Sequence, residues 1–274
     1  MTAVPTASRV RFGKLHGSSD ALALARLAAA ARPVVAVCGS ALDAQRLREE
    51  IPWFAPDLRV SLFPDWETLP YDTFSPHQDL VSERLETLHH ITSGDCDIAI
   101  VPATTALYRL PPPAYLAGYT FFIKQGTRLD AAQLRAQFTT AGYSHVTQVV
   151  APGEYCVRGG LIDLFPMGSA LPYRIDLADE QVESLRTFDV DTQRTVYKVA
   201  ESRLLPAREF PLDDPARARF RARFREAFEG DPSKSTVYKD VSNGVAPPGI
   251  EYYLPLFFDA TGHLFDYLPA GATL

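Results

Sequence analysis

The stretch that most limits what this chain can fold into runs from Tyr155 to Pro166, Tyr-Cys-Val-Arg-Gly-Gly-Leu-Ile-Asp-Leu-Phe-Pro. Its β-branched, aliphatic and aromatic residues read as one strand with a kink. The Gly159-Gly160 pair permits a bulge or a close backbone approach, and Pro166 ends the run. Arg158 and Asp163 interrupt an otherwise apolar segment. Charges there are tolerated only if paired or turned to solvent, so function is sought first at these two positions.

Further short strands follow this pattern: 146–150, 173–177, 182–188 and 195–199, joined by the turns Met167-Gly168-Ser169-Ala170, Ala178-Asp179-Glu180-Gln181 and Asp191-Thr192-Gln193. A strand at 119–124 and a helix at 130–140, with Leu134 and Phe138 inward, precede them. The spacing predicts an antiparallel meander with a helix on one face. The flanks read differently. Before Pro111-Pro112-Pro113, strands at 34–38, 60–63 and 98–101 alternate with helices: an Ala/Leu-rich buried one at 20–31, one carrying Leu42, Leu47 and Ile51, and one at 80–91 carrying Val81, Leu85 and Leu88. That alternation predicts a parallel sheet covered on both faces. After Leu204-Leu205-Pro206, a helix starting at Asp214-Pro215 sets Phe220, Phe224 and Phe228 toward the core and Arg217, Arg221 and Arg225 on the opposite face. Residues 247–274 show no clear periodicity. The expected class is α/β, a parallel-sheet domain over 1–117 and 207–274 with an α+β antiparallel-sheet domain inserted at 118–206.

Chemistry is mostly excluded. The α/β part invites a test for G-x-x-x-x-G-K-[ST], whose backbone amides and lysine hold phosphates. Where such a loop would open the first helix stands His16-Gly17-Ser18-Ser19-Asp20, without a lysine and with an acid that opposes phosphate. There is no Gly-x-Ser-x-Gly, and His89-His90 lies on a helix without a nucleophile at a fixed spacing. Asp163 and Asp176 as an acid/base pair are outweighed by cross-strand ion pairing with nearby arginines. Cys38, Cys96 and Cys156 have neither C-x-x-C nor zinc-ligand spacing, which implies no metal site and a reducing compartment. With no signal-type segment and no long apolar run, the expected location is cytoplasmic and not membranous. The net charge of −6 argues against the chain as a whole binding a polyanion, which leaves the Arg217, Arg221, Arg225 stripe as a local footprint. In the aromatic loop at 64–78, Asp65, Glu67, Asp72 and Asp79 oppose a phosphate backbone, so ordinary packing outweighs base stacking.

Three stretches together resemble a known family. These are Asp65-Trp66-Glu67-Thr68-Leu69-Pro70-Tyr71-Asp72 with Ser75-Pro76-His77, then Gly153-Glu154-Tyr155 through Arg158-Gly159-Gly160-Leu161-Ile162-Asp163-Leu164-Phe165-Pro166, and then Gly249-Ile250-Glu251-Tyr252 with Phe265-Asp266-Tyr267-Leu268-Pro269. In this order they look like the N-terminal region of the bacterial transcription-repair coupling factor, Mfd. That region is similar in turn to the first helicase-like domain of UvrB and to its inserted domain that binds UvrA. The resemblance implies a UvrA-recruiting module acting in transcription-coupled nucleotide excision repair, with no ATPase, cofactor or catalytic residue of its own. The family's ATP- and Mg-dependent DNA translocase and its RNA polymerase contact would lie further along. UvrB-like sequences continue into another strand past the point where this chain ends, which implies a piece of a longer protein.

The family's Arg-Gly-[Gly/Ala] and Pro-Tyr-Arg segments place UvrA recognition on Arg158 and Arg174, with Asp176 beside them. An aromatic that the family carries after the second segment is Ala178 here. From the residues alone, each arginine is accounted for by pairing with Asp163, Asp176 or Glu183 in its own sheet; the resemblance favours recruitment. The alternative function is a nucleotide-dependent DNA enzyme or a damage-binding fragment. Binding of a UvrA-type protein without ATP or DNA separates the two.

Overall fold

A computed structural model describes residues 10–70 and 72–274; Tyr71 of the first motif lies outside the described residues. The chain opens with α1 (Ser19–Ala30), β1 (Val34–Cys38), α2 (Ala41–Phe54), β2 (Val60–Leu62), α3 (Gln78–Ser93), β3 (Ile98–Pro102) and α4 (Ala103–Ala106). The strands form a parallel sheet in the order β1-β3-β2. Strands that alternate with helices must return by crossovers, and the helices cover both faces. On one face Ile98 and Ile100 meet the α1 and α2 residues Ala21, Ala25, Leu47 and Ile51; on the other, Ala99 and Val101 meet Val81, Leu85 and Leu88 of α3. The expected buried helix proves one-sided: α1 buries Ala21, Ala25 and Ala28 while Arg26, Ala29 and Ala30 are exposed.

Next come α5 (Pro113–Tyr119), β4 (Phe121–Lys124), α6 (Ala131–Thr140), β5 (Ser144–His145), β6 (Glu154–Arg158), β7 (Leu161–Phe165), β8 (Tyr173–Ala178), β9 (Gln181–Phe188), β10 (Thr195–Lys198) and β11 (Glu201–Leu204). A six-stranded sheet has the order β10-β9-β8-β7-β6-β5, antiparallel throughout except for β5 on β6, and β11 pairs with β4 in a separate ribbon. Two expectations are corrected. The stretch at 155–165 is a hairpin, not one kinked strand, with β6 and β7 antiparallel. The residues at 146–150 form no strand; strand pairing there stops at His145.

The glycine pair explains the hairpin. Gly159 takes a left-handed φ of 61°, which costs glycine little. A Cβ on Gly160 would lie 2.6 Å from the Leu177 carbonyl oxygen, so β8 approaches closely only because that position has no side chain. Asp130 caps α6 by accepting the amides of Ala132 (2.7 Å) and Gln133 (3.0 Å). That helix lays Leu134 and Phe138 on the sheet, with Phe138 and Tyr155 rings 4.8 Å apart. One buried cluster runs without a break from Val35, Phe63 and Leu85 of the first part to Tyr155, Ile162 and Ile175 of the meander.

The last part contains α7 (Asp214–Ala227), α8 (Thr236–Ser242) and 3-10 turns at Ile250–Phe257 and Leu264–Tyr267. Asp213 caps α7, and Phe220 and Phe224 are buried, whereas Phe228 is 43% exposed and outside the expected core. The segment at 250–257 fastens the aromatic loop: the Tyr252 hydroxyl donates to the Thr68 carbonyl, and the Ser75 hydroxyl donates to Glu251 (2.9 Å). Trp66 is buried between Tyr108 and Tyr252, so packing uses its ring as the acidic composition of the loop predicted.

Candidate protein-binding site

Strand register decides which side chains share a face. Cys156 lies opposite Asp163, Asp163 opposite Arg174, and Arg174 opposite Arg186, on β6, β7, β8 and β9 in turn. Side chains alternate along a strand, so these residues project to one face while Tyr155, Ile162, Leu164 and Ile175 project to the other and enter the core. Along β8, Tyr173, Ile175 and Leu177 thus pack on the core side and alternate with Arg174 and Asp176.

Arg158 and Arg174 converge on one carboxylate. Asp163 is 1% exposed and accepts the Arg174 Nε at 2.7 Å, its Nη2 at 3.0 Å and the Arg158 Nη2 at 2.6 Å. A buried carboxylate without such partners would be prohibitively costly, and two guanidiniums supply what water would have supplied. The bond to Asp163 raises the Arg174 pKa, so that guanidinium stays charged. Arg174 also donates from Nη1 to the Gln193 carbonyl (3.2 Å) and sits 4.7 Å from the Phe188 ring centre. Its side chain is 16% exposed, that of Arg158 53%. A guanidinium has five N–H donors, so Arg174 keeps two free of these bonds. The within-sheet pairing expected from the residues is present, and it orients both arginines on the solvent side of the sheet.

Asp176 is engaged differently. It accepts the Ser184 hydroxyl and the Arg186 Nη2 (2.5 Å). Arg186 was missed by the sequence reading, because its place opposite Arg174 is set by a register shift after Asp176 that the pattern of the strand does not show.

Other sequence candidates disperse. At the start of α1, Asp20 holds Arg46 of α2 through contacts of 2.6 and 3.2 Å, which lowers the Asp20 pKa and sets a carboxylate where a phosphate loop would open. His89 and His90 lie half-buried near Arg203; burial first, then that cation, lowers both pKa values, His89 to about 4. Of the α7 stripe, Arg217 pairs with Asp214, Arg225 donates to the Tyr238 hydroxyl, and Arg221 has no ion pair among the described residues, while Arg219 and Arg223, off that stripe, pair with Asp259. Among the described residues no group of His, Cys, Asp and Glu is suited to a metal, and no helix is long and apolar enough to cross a membrane.

The sheet thus has one side in the main core and an outer side where charged residues stand beside a small buried cluster of Cys156, Phe165 and Phe188, an α+β unit of antiparallel strands. Residues 121–210 match the UvrB interaction domain family. Over nearly its whole length the chain is similar to the bacterial transcription-repair coupling factors, as its three motifs implied. It is 46% identical to the transcription-repair-coupling factor of Escherichia coli (strain K12) across 96% of this chain and 23% of that protein. Against that of Haemophilus influenzae identity is 52% across 77% of this chain and 18% of that protein. The Bacillus subtilis protein is 26% identical across 89% and 22%. The chain thus spans about a quarter or less of the length of the curated relatives it matches.

Proposed function

We propose that this chain is a UvrA-recruiting, UvrB-like module that serves transcription-coupled nucleotide excision repair and has no ATPase of its own. The observation that carries this is the convergence of Arg158 and Arg174 on buried Asp163, on the outer face of a UvrB interaction domain. A fixed pair of guanidiniums can hold acidic groups bidentately and still stack, the combination that favours arginine at interface anchors. Asp176 lies within the same patch. The parts at 1–117 and 207–274 then form a helicase-like frame that presents the inserted domain at 118–206. ATP, Mg, DNA and RNA polymerase would be the business of other parts of a longer protein, in the cytoplasm.

The test is calorimetric titration of the 274-residue chain with UvrA from the same organism, without nucleotide or DNA. Arg158→Ala and Arg174→Ala, each confirmed folded by a cooperative unfolding transition above the titration temperature, should weaken binding about thirtyfold, the range of an interface anchor. Wild-type affinity in both would sink the proposal.

A further inference from the structure

We propose that the docking surface extends beyond the two arginines as a row of cations across the sheet, in which Arg186 and Lys198 contact carboxylates of the recruited protein directly. This rests on the UvrA reading above. The register continues past Arg186: Lys198 on β10 lies directly opposite it, so Asp163, Arg174, Arg186 and Lys198 stand side by side on consecutive strands. With Arg158 beside Asp163, the row spans five strands from β6 to β10, about 19 Å at about 4.8 Å per step.

Three neighbouring cations on one face oppose one another, an arrangement that weakens a sheet. The fold offsets only part of it. Asp163 answers Arg158 and Arg174, and Asp176 answers Arg186, whereas Lys198 is exposed and has no ion pair among the described residues. The Nε of Arg186 is buried without a hydrogen-bond partner. Asp163 at 1% exposure lies beneath its arginines, and the Asp176 side chain is 28% exposed, so the outer layer is predominantly positive on a chain whose net charge is −6. Guanidiniums already pinned by one carboxylate are preorganised for a second. An acidic protein face is the occupant this selects, because the row is continuous with the Arg158–Arg174 pair of the recruitment reading and its spaced guanidiniums match discrete carboxylates on a folded surface.

The experiment compares Arg186→Gln, Lys198→Gln and the double variant Arg186→Gln with Asp176→Asn in the same titration against UvrA. Arg186→Gln should weaken binding about tenfold and exposed Lys198→Gln about threefold, both with shallower salt dependence. The double variant should stay as weak as Arg186→Gln. If it regains wild-type affinity, Arg186 merely neutralises Asp176 and the contact role is overturned. Wild-type affinity in Lys198→Gln and Arg186→Gln, with Arg158→Ala and Arg174→Ala still defective, ends the surface at Arg174 and overturns the extension alone. No binding by the unaltered chain removes both the recruitment reading and this one. A loss of duplex-DNA binding in Lys198→Gln with UvrA binding intact assigns the row to nucleic acid and likewise overturns it.

Discussion

Arg84 and Glu209, 125 positions apart in sequence, form a fully buried ion pair, with Nε to Oε1 at 2.5 Å and Nη2 to Oε2 at 3.3 Å. The Arg84 Nη1 also donates to the Pro64 carbonyl (2.8 Å), and its guanidinium lies 4.3 and 4.9 Å from the ring centres of Phe63 and Trp66. The pair ties α3 and the start of the aromatic loop to the segment that leaves the inserted unit. Removing one partner strands a charge in the core, so Arg84→Ala should cost about 3–5 kcal/mol in urea denaturation. Replacing both, Arg84→Met with Glu209→Leu, should cost clearly less. An equal loss in the double variant would show that packing against Phe63 and Trp66 dominates.

That pair also marks where sequence reasoning stopped. Periodicity placed α3 and its apolar face at Val81, Leu85 and Leu88, because burial repeats every 3.6 residues there. It offered no reason to place an arginine inside, since only long-range partners such as Glu209 and Pro64 make Arg84 admissible. Strands rich in β-branched and aromatic residues were legible to within a few residues, as at β1, β3, β8 and β9. The 155–165 stretch was misread as continuous because its composition is that of a strand on both sides of the turn, while the reversal depends on Gly159 taking a positive φ. At the site, Arg158 and Asp163 were visible as charges in an apolar run, whereas Arg174 was singled out through the resemblance of its Pro-Tyr-Arg segment. Arg186 was not singled out, since its position beside Arg174 follows from a register set by a bulge after Asp176.

Asp163 should matter more to stability than either arginine it holds. Asp163→Ala leaves Arg174, 16% exposed, without its main partner, and a loss of about 3 kcal/mol is expected by thermal or urea unfolding. Arg158→Ala should cost under about 1 kcal/mol, because that side chain is half exposed and Arg174 still neutralises the acid. A larger loss from Arg158→Ala than from Asp163→Ala would contradict this ordering.

Stability should fall with acid in two separate windows. The His89 imidazole binds its proton near pH 6.5 when unfolded but only near about 4 when folded. Between those values the unfolded chain holds more protons, so this contribution is full above about 6.5 and is lost as pH falls toward about 4. Asp97, held near about 2 chiefly by its hydrogen bond from Arg59, contributes above 3.8 and fails only as pH falls through about 2. Melting temperature followed from pH 8 to pH 2 should show both declines, and His89→Gln should reduce the first, to which His90 also contributes, while leaving the second. An unchanged upper decline in that variant would assign it elsewhere.

Nucleotide should not bind tightly at the start of α1. Asp20 in its first turn is already paired with Arg46, and an acid held there repels the phosphates that a helix N-terminus otherwise attracts. Titration with ATP and Mg should give no micromolar binding isotherm. A saturable isotherm that Arg46→Ala abolishes would show that the arginine serves phosphate instead of Asp20.

The two glycines of the hairpin should differ in what they tolerate. Gly160 passes the Leu177 carbonyl so closely that a Cβ would sit 2.6 Å from that oxygen, and the Gly160 carbonyl accepts the Leu177 amide at 2.7 Å. Backbone cannot swing aside as a side chain can, so Gly160→Ala must push β8 away from the turn, at an expected cost of about 1–3 kcal/mol. Gly159, by contrast, has φ at 61° and open space where a side chain would go. Asparagine tolerates that conformation, so Gly159→Asn should cost well under about 1 kcal/mol. Because Asp176 precedes Leu177, the displaced strand end in Gly160→Ala should also loosen the Asp176–Arg186 pair, visible as weaker amide protection from hydrogen exchange along β8 and β9. Equal stability losses for the two variants, or unchanged protection in Gly160→Ala, would show that the close approach is not what shapes this end of the sheet.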